Sequence, residues 1–451
     1  MNELILDPLE RRRRSRAARI GVFTALLAWA ALLVGVPAHA QLSIQITRGV
    51  TQPISIAVVP FAVEQGPVPV DVAAVIEADL ERSGRFDGLD RAAMLQRPTV
   101  GTPVDAANWR LLKVDYVVVG RVAPAGGEWA IQYELYNVLT GERLLGFSVP
   151  TAGNAMRLGA HRVADMIYEK ILGIRGAFAT RIAYVAVTGV APQRRYRLVV
   201  ADADGENART IVESREPIMS PAWSPDGQKL AYVSFEGQMS QVWVQTLRTG
   251  ERERVSARAG INGAPAWSPD GSRMALTLSN RDGNVDVYVL DLATRDSLRI
   301  TDDPSIDTEP AWSSDGRTLY FTSDRAGRPQ VYAIRLASGE RPRRVTFEGP
   351  YNARPRVSPD GSQLAVVTLD QGAYRVAVAD PQTGRSRVLT NGRLDEGPTF
   401  APNGQTLMYA TRAGGRGVLA TVAVDGSVTS RISAEAGDVR EPAWSPFPPQ
   451  Q

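Results

Sequence analysis

The chain has 451 residues, 44% of them hydrophobic and 22% charged, which is long enough for two domains with separate cores. It contains no cysteine, so disulfides, thiolate metal sites and cysteine nucleophiles are excluded. The net charge of +3 is small and gives no basic stripe of the kind nucleic-acid binding needs.

At the N-terminus a basic run, Arg11 to Arg14 with Arg16 and Arg19, precedes an apolar stretch from Ile20 to Val36. Ala38-His39-Ala40 then supplies the small-x-small pattern that signal peptidase cuts after. A permanent anchor is the rival reading. The stretch is close to the minimum spanning length of ~17 residues, and the cleavage pattern follows it directly. Residues 1–40 are therefore expected to be a cleaved export signal, which makes the remainder periplasmic with no direct membrane insertion. Twin-arginine export fits the arginine pattern poorly. Of the 51 basic and 48 acidic residues, six arginines and three acids lie ahead of the cut, leaving 45 of each. One of the two histidines, His161, remains.

Residues 41–172 read as a small α/β domain of order β-α-β-β-β-α. Its first segment, Gln41, Leu42, Ser43, Ile44, Gln45, Ile46 and Thr47, alternates apolar and polar residues. It is either an ordinary first strand or one that adds to a partner's sheet edge. Ile54 to Phe61 and Asp115 to Arg121 are buried strands, and residues 128–138 and 142–149 are further strands. Asp71 to Ser83 carries Val72, Val75, Ile76 and Leu80 at helical spacing. A longer helix runs from Arg157 to Leu172 and stops at Gly173. His161 sits on what reads as a surface helix, where a lone histidine is expected to be solvated or packed. No second mature histidine exists to share a metal. Residues 173–180 are the expected junction.

Beyond the junction a repeat dominates. Pro221-Ala-Trp-Ser-Pro-Asp-Gly227 recurs at Pro265, Pro310 and Pro355, with weaker copies at Pro398 and Pro442, spaced by 44, 45, 45, 43 and 44 residues. That period matches a four-stranded propeller blade. Asp-Gly supplies the positive φ of a tight hairpin, and proline belongs at a sheet edge or a strand's first residue. Trp223, Trp267, Trp312 and Trp444, with Val357 and Phe400, are expected between blades; burying ~150–250 Å² of aromatic surface gives roughly 4–6 kcal/mol before entropy is counted. The first unit begins at Arg181 without a Pro-Ala-Trp strand, and the chain ends on that missing strand. The expectation is a multidomain chain in which an all-β six-bladed β-propeller, residues 181–447, follows the α/β domain and is closed by its C-terminal strand.

Chemistry is sparse. No Gly-x-Ser-x-Gly elbow, P-loop or dinucleotide fingerprint occurs. Asp202-Ala-Asp-Gly205 begins like a calcium loop but lacks the closing bidentate acid, so a hairpin turn is the better reading. The carboxylates Asp226, Asp270, Asp315 and Asp360 recur once per blade as turn residues. No enzyme activity, cofactor or metal is expected. The loops leading into the innermost strands ring one mouth of the channel: Met219-Ser220, Asn262-Gly263-Ala264, Thr308-Glu309, Asn352-Ala353-Arg354, Asp395-Glu396 and Arg440-Glu441. Their mixed signs, amides and small side chains suit a polypeptide ligand better than a polyanion; plain solvated loops fit equally well.

The chain resembles the TolB family, periplasmic components of the Tol-Pal cell-envelope system. The resemblance rests on Ile56-Ala-Val-Val-Pro-Phe61, Asp115-Tyr-Val-Val-Val-Gly120, Gly173-Ile-Arg-Gly-Ala-Phe-Ala-Thr-Arg-Ile-Ala-Tyr-Val185 and Met219-Ser-Pro-Ala-Trp-Ser-Pro-Asp-Gly227. Thr308-Glu-Pro-Ala-Trp312 and Thr322-Ser-Asp-Arg-Ala-Gly-Arg-Pro-Gln-Val-Tyr332 add to it. It implies a non-enzymatic adaptor, expected to be monomeric, that serves outer-membrane integrity and envelope constriction during cell division. In such an adaptor the mouth binds the lipoprotein Pal, through residues including Asn262, Gly263, Ala264, Thr308 and Glu309. Gln41 to Thr47 would engage TolA, and some colicins exploit the system for import. Ile261 stands where some relatives have histidine. The alternative is an exported propeller enzyme or carbohydrate-binding protein with the channel as its pocket.

Overall fold

The computed structural model describes residues 52–337, 339–432 and 437–449, together with the backbone of Ile44 and Gln45. The expected export signal, and Gln41–Ser43 with Ile46–Thr47 of the expected TolA segment, lie outside the described residues. Among the described residues no helix is long and apolar enough to cross a membrane.

In the N-terminal domain β1 (Ile44–Gln45) is followed by β2 (Ile54–Val58), β3 (Ala62–Val63), α1 (Val72–Arg82) and β4 (Phe86–Gly88). Next come α2 (Ala106–Leu111), β5 (Tyr116–Ala125), β6 (Glu128–Asn137), β7 (Arg143–Thr151) and α3 (Met156–Leu172). The sheet runs β4-β2-β5-β6-β7, with β2 parallel to β4 and β5, β3 also parallel to β5, and β5-β6-β7 antiparallel. Both faces of its centre are buried, which is why β2 and β5 are continuous apolar runs rather than alternating ones. Ile56 and Val58 face α1 and α3 through Ile76, Leu80, Val163 and Ile167; Ala57 and Val59 face Trp109 of α2. Asp71 caps α1 by accepting from the Ala74 N–H at 2.9 Å. Gly173, at φ 71°, ends α3 with an N–H bond to the Glu169 carbonyl at 2.8 Å. Strands β3 and β4 and helix α2 are additions to the expected element order. They are too short, at two to six residues, to carry a periodic signal.

The propeller has six blades. Blades 2 to 5 are four-stranded antiparallel sheets opening at Ile218, Asn262, Asp307 and Asn352. Blade 1 combines 181–214 with the last strand, Asp438–Trp444, which pairs from Asp438↔Val187 to Trp444↔Ile182. The ring is thus closed by its two ends, as the repeat pattern expects. Ile182 and Tyr184 of blade 1 share a core with Met408 and Leu419 of blade 6, so this seam is packed like the others. The tryptophans fill the seams and also bond across them. Trp223 donates to the Ala443 carbonyl at 3.0 Å, Trp267 to Ala222 at 3.2 Å and Trp312 to Ala266 at 3.0 Å. Burying an indole leaves its N–H in need of an acceptor, and the preceding blade's backbone supplies it. Blade 6 carries a fifth strand: β1 pairs antiparallel with its outer edge, Ile44↔Ser430 and Gln45↔Thr429. This part of the N-terminal segment is an ordinary strand on the chain's own sheet.

Candidate binding site at the channel mouth

In five blades the innermost strand breaks register around its proline, and the same break occurs in the closing strand of blade 1. In blade 2, Met219 opposes Val233 and Ala222 opposes Ala231, so Ser220 and Pro221 together face Tyr232 alone. Two residues against one is a bulge, where no ladder hydrogen bond is demanded and a residue without an N–H costs nothing. The prolines therefore lie inside strands rather than at their first residues. The residue ahead of each proline is left-handed: Ser220 (φ 51°), Ala264 (45°), Glu309 (54°), Arg354 (56°), Gly397 (61°) and Glu441 (53°). For a residue with a Cβ this conformation costs roughly 1–2 kcal/mol. Sixfold repetition at the rim of one channel marks it as a built feature.

Three of these six make a charge bridge over the mouth. The Arg354 Nε donates to Glu309 Oε1 at 2.8 Å, and both of its Nη atoms lie 3.3 Å from Glu441 Oε1. Glu309 Oε2 also accepts from the Arg354 N–H and the Thr322 hydroxyl, each at 3.1 Å. Glu441, ahead of Glu309 and Glu396, outweighs burial and holds the Arg354 guanidinium charged. Gly397 lies beside the bridge, where a Cβ would stand at ordinary contact distance, 3.8 Å from Arg354 Nη1 and 3.4 Å from Pro442, so its φ of 61° rather than space is what suits glycine there. Toward the opposite face the channel holds an open cavity of about 480 Å³, lined by the tryptophans, by Pro225, Pro269 and Pro359 of the turns, and by Arg356, the one arginine at a position that is Ala222, Ala266, Ala311, Thr399 or Ala443 in the other blades.

The other expected mouth residues divide by burial. Asn262 and Asn352 are 0% and 1% exposed, and their side chains hold the loops from within. Asn262 Oδ1 accepts from the Ser256 hydroxyl at 2.6 Å and the Arg258 N–H at 2.9 Å; Asn352 Nδ2 donates to the Glu348 carbonyl at 2.7 Å. Asn262 thus spends its amide on the rim's shape, while in Asn352 only the Nδ2 is bonded and the buried Oδ1 has no partner. Asp307 is fully buried at the corresponding place in blade 4 and paired with Arg325 at 2.8 Å. Met219 and Arg440 are exposed; Ser220, Gly263, Ala264, Thr308 and Glu396 are half-buried. Thr308 and Thr277 share a hydroxyl contact at 3.3 Å. Two rim residues outside the expected set, Ile261 at 47% exposure and Ile306 at 50%, join Met219 at 37% as exposed apolar side chains on blades 2, 3 and 4. Ile261 and Ile306 immediately precede an innermost strand and Met219 is the second residue of one, and the cue was the apolar residue itself beside polar neighbours.

The opposite face is explained by its turns. Ser224, Ser268, Ser313 and Ser358 each donate a hydroxyl to the aspartate two residues on, at 2.5 Å. Hydrogen bonds from Ser268 and Ser272 pull the Asp270 carboxyl down to about 2. Blade 6 has Asn403 instead, whose Nδ2 donates to the Arg175 carbonyl of the junction at 3.0 Å. There the turn has become part of the contact with the N-terminal domain.

That contact also corrects the view of His161. It lies on α3 but is fully buried, between Asp79 of α1 and Asp204 of the blade 1 turn. Asp202-Ala-Asp-Gly205 is a hairpin turn as expected, and Asp204 is its contribution to the domain interface.

Residues 42–144 match the model of the TolB amino-terminal domain, and residues 168–448 match that of the TolB β-propeller domain. The Tol-Pal system protein TolB of Xanthomonas campestris pv. campestris strain B100 is 50% identical over 430 residues, 94% of this chain and 98% of that protein. Its counterpart from Xanthomonas oryzae pv. oryzae strain KACC10331 is likewise 50% identical over 430 residues. The crystal structure of TolB from Acinetobacter baumannii superposes with a TM-score of 0.83 at 40% identity, covering 90% of this chain and all of that one. With its blade repeat, ring closure and domain order, the chain belongs to the TolB family of Tol-Pal system proteins.

Proposed function

We propose that the chain is an exported, periplasmic, non-enzymatic adaptor that binds Pal at the channel mouth and TolA through its N-terminal segment. In this role it couples the two in support of outer-membrane integrity and constriction at division. The observation that carries the reading is the rim: six left-handed residues, three small and three charged, surround one opening, with Met219, Ile261 and Ile306 exposed beside the Glu309–Arg354–Glu441 bridge. An apolar patch next to fixed charges of both signs suits a folded polypeptide. The family's place in the Tol-Pal system supports the choice of partner. The basic, apolar and small-residue order of residues 11–40 supports export.

A pulldown from envelope extracts tests both contacts. The full chain should recover Pal and TolA; deletion of residues 41–47 should keep Pal and lose TolA. Thr308→Arg with Met219→Asp should lose Pal and keep TolA. Retention of Pal by that double variant would refute the mouth assignment.

A further inference from the structure

The interface between the N-terminal domain and blade 1 buries a charge cluster that the mouth does not involve. Asp79 and Arg82 come from α1, Arg157 and His161 from α3, and Asp204 from the propeller turn. His161 Nδ1 lies 2.6 Å from Asp79 Oδ2. Its Nε2 lies 3.6 Å from Asp204 Oδ2 and has no hydrogen-bond partner. Arg82 pairs with Asp79, and the Arg157 Nε donates to Asp204 at 3.1 Å. One turn along α3, Asp165 accepts from the junction N–H groups of Phe178 and Ala179 at 2.7 and 3.1 Å. Asp202, held by Asn207, stands beyond Asp204, and Glu206 acts on Arg157. His161 is thus faced by Asp79, Asp165, Asp202 and Asp204, against Arg82 and Arg157.

A buried ring with a carboxylate oxygen before each nitrogen is built for the imidazolium. The neutral ring has one N–H and must turn its lone pair toward the other carboxylate. A divalent cation is a poorer occupant, because Arg82 and Arg157 already neutralise the two carboxylates it would use. We propose that Asp79, His161 and Asp204 form a proton-operated latch: the protonated ring ties α1 to blade 1 and holds the N-terminal domain on the propeller, and loss of the proton releases it.

The direction follows from the surroundings. Burial disfavours the charged ring, but Asp79 and then Asp204 outweigh it, so His161 holds its proton above the usual 6.5. A raised histidine stabilises the docked state fully below 6.5 and ceases to as pH rises through the raised value. Burial pushes Asp165 up to about 7 against its two N–H bonds, and that contribution is also lost as pH rises. Asp204 is opposed by burial, but Arg82, His161 and Arg157 keep its carboxyl below the usual range, so it stays charged throughout this window. The latch closes in mild acid and opens toward alkaline pH.

The test uses the full chain carrying His39→Gln, so that His161 is the sole imidazole. Its ring is titrated by NMR while hydrogen exchange is followed at the Phe178 and Ala179 amides, corrected for intrinsic rate. The latch requires a midpoint above 6.5 and protection falling about fivefold or more from pH 6 to 8.5. His161→Gln should reduce that dependence to the part Asp165 supplies, and Asp204→Asn should lower the midpoint. A midpoint at or below 6.5, undiminished pH dependence in His161→Gln, or a titration altered by EDTA would overturn the proposal.

Discussion

Trp312 shows how single residues act here. Its ring fills a seam and its N–H is paired with Ala266 of the neighbouring blade, so two losses can be separated. Trp312→Phe keeps most of the apolar area and should cost about 1–2 kcal/mol through the orphaned carbonyl and lost volume. Trp312→Ala should cost about 3–5 kcal/mol. Urea unfolding of the two variants measures the difference. The turn carboxylates act by charge. Asp226, Asp270, Asp315 and Asp360 all lie below their ordinary value, Asp270 at about 2, through bonds from the adjacent serines. A depressed carboxyl contributes stability that is present above 3.8 and lost as pH falls through the folded value. Ser268→Ala should therefore shift the Asp270 titration, read by carboxyl NMR, upward toward 3.8. The tryptophans and turn aspartates were legible in the sequence because each recurs with the blade. His161 was not: its partners lie on another helix and on the propeller, and no local spacing links Asp79 or Asp204 to it.

At the scale of elements, the innermost strand carries the main surprise. Its proline was readable, but the bulge was not. Steric conflict with the proline ring disfavours helical backbone at the preceding residue, and Ala264, Glu309 and Arg354 give no hint of positive φ. Gly397, alone of the six, is a residue that adopts it freely. The strain at Ala264 predicts that Ala264→Gly raises stability by about 1 kcal/mol and that Ala264→Val lowers it, measured by thermal unfolding. In the N-terminal domain the two long helices were visible as apolar periodicity and the strands β2 and β5 as continuous apolar runs, with β6 and β7 readable beside them. Gly84 has a different reason: it sits at φ 71° where a Cβ would lie 2.3 Å from Val428 of blade 6. Gly84→Ala should thus loosen the contact between domain and propeller, seen as faster hydrogen exchange at the junction amides.

For the whole molecule, closure follows from strands that are incomplete at both ends of the array. Blade 1 has three strands of its own and takes the fourth from Asp438–Trp444. Truncation at Gly437 exposes the inner edge of Arg181–Thr188 and should yield aggregated or non-cooperatively unfolding protein, checked by sedimentation and by calorimetry. The position of the mouth was inferable from this topology. The division of its residues into a buried supporting set, Asn262 and Asn352, and an exposed set was not, because burial depends on how each loop folds back.

The left-handed residues of the rim are proposed to seat a polypeptide partner. Hydrogen exchange of the full chain with and without saturating lipid-free Pal tests it most directly. Slower exchange should be confined to segments 219–220, 261–264, 306–309 and 352–354 and the neighbouring rim of blades 6 and 1, with no change at the turns 225–227, 269–271 and 314–316. Protection at those turns with an unaltered rim would contradict the account.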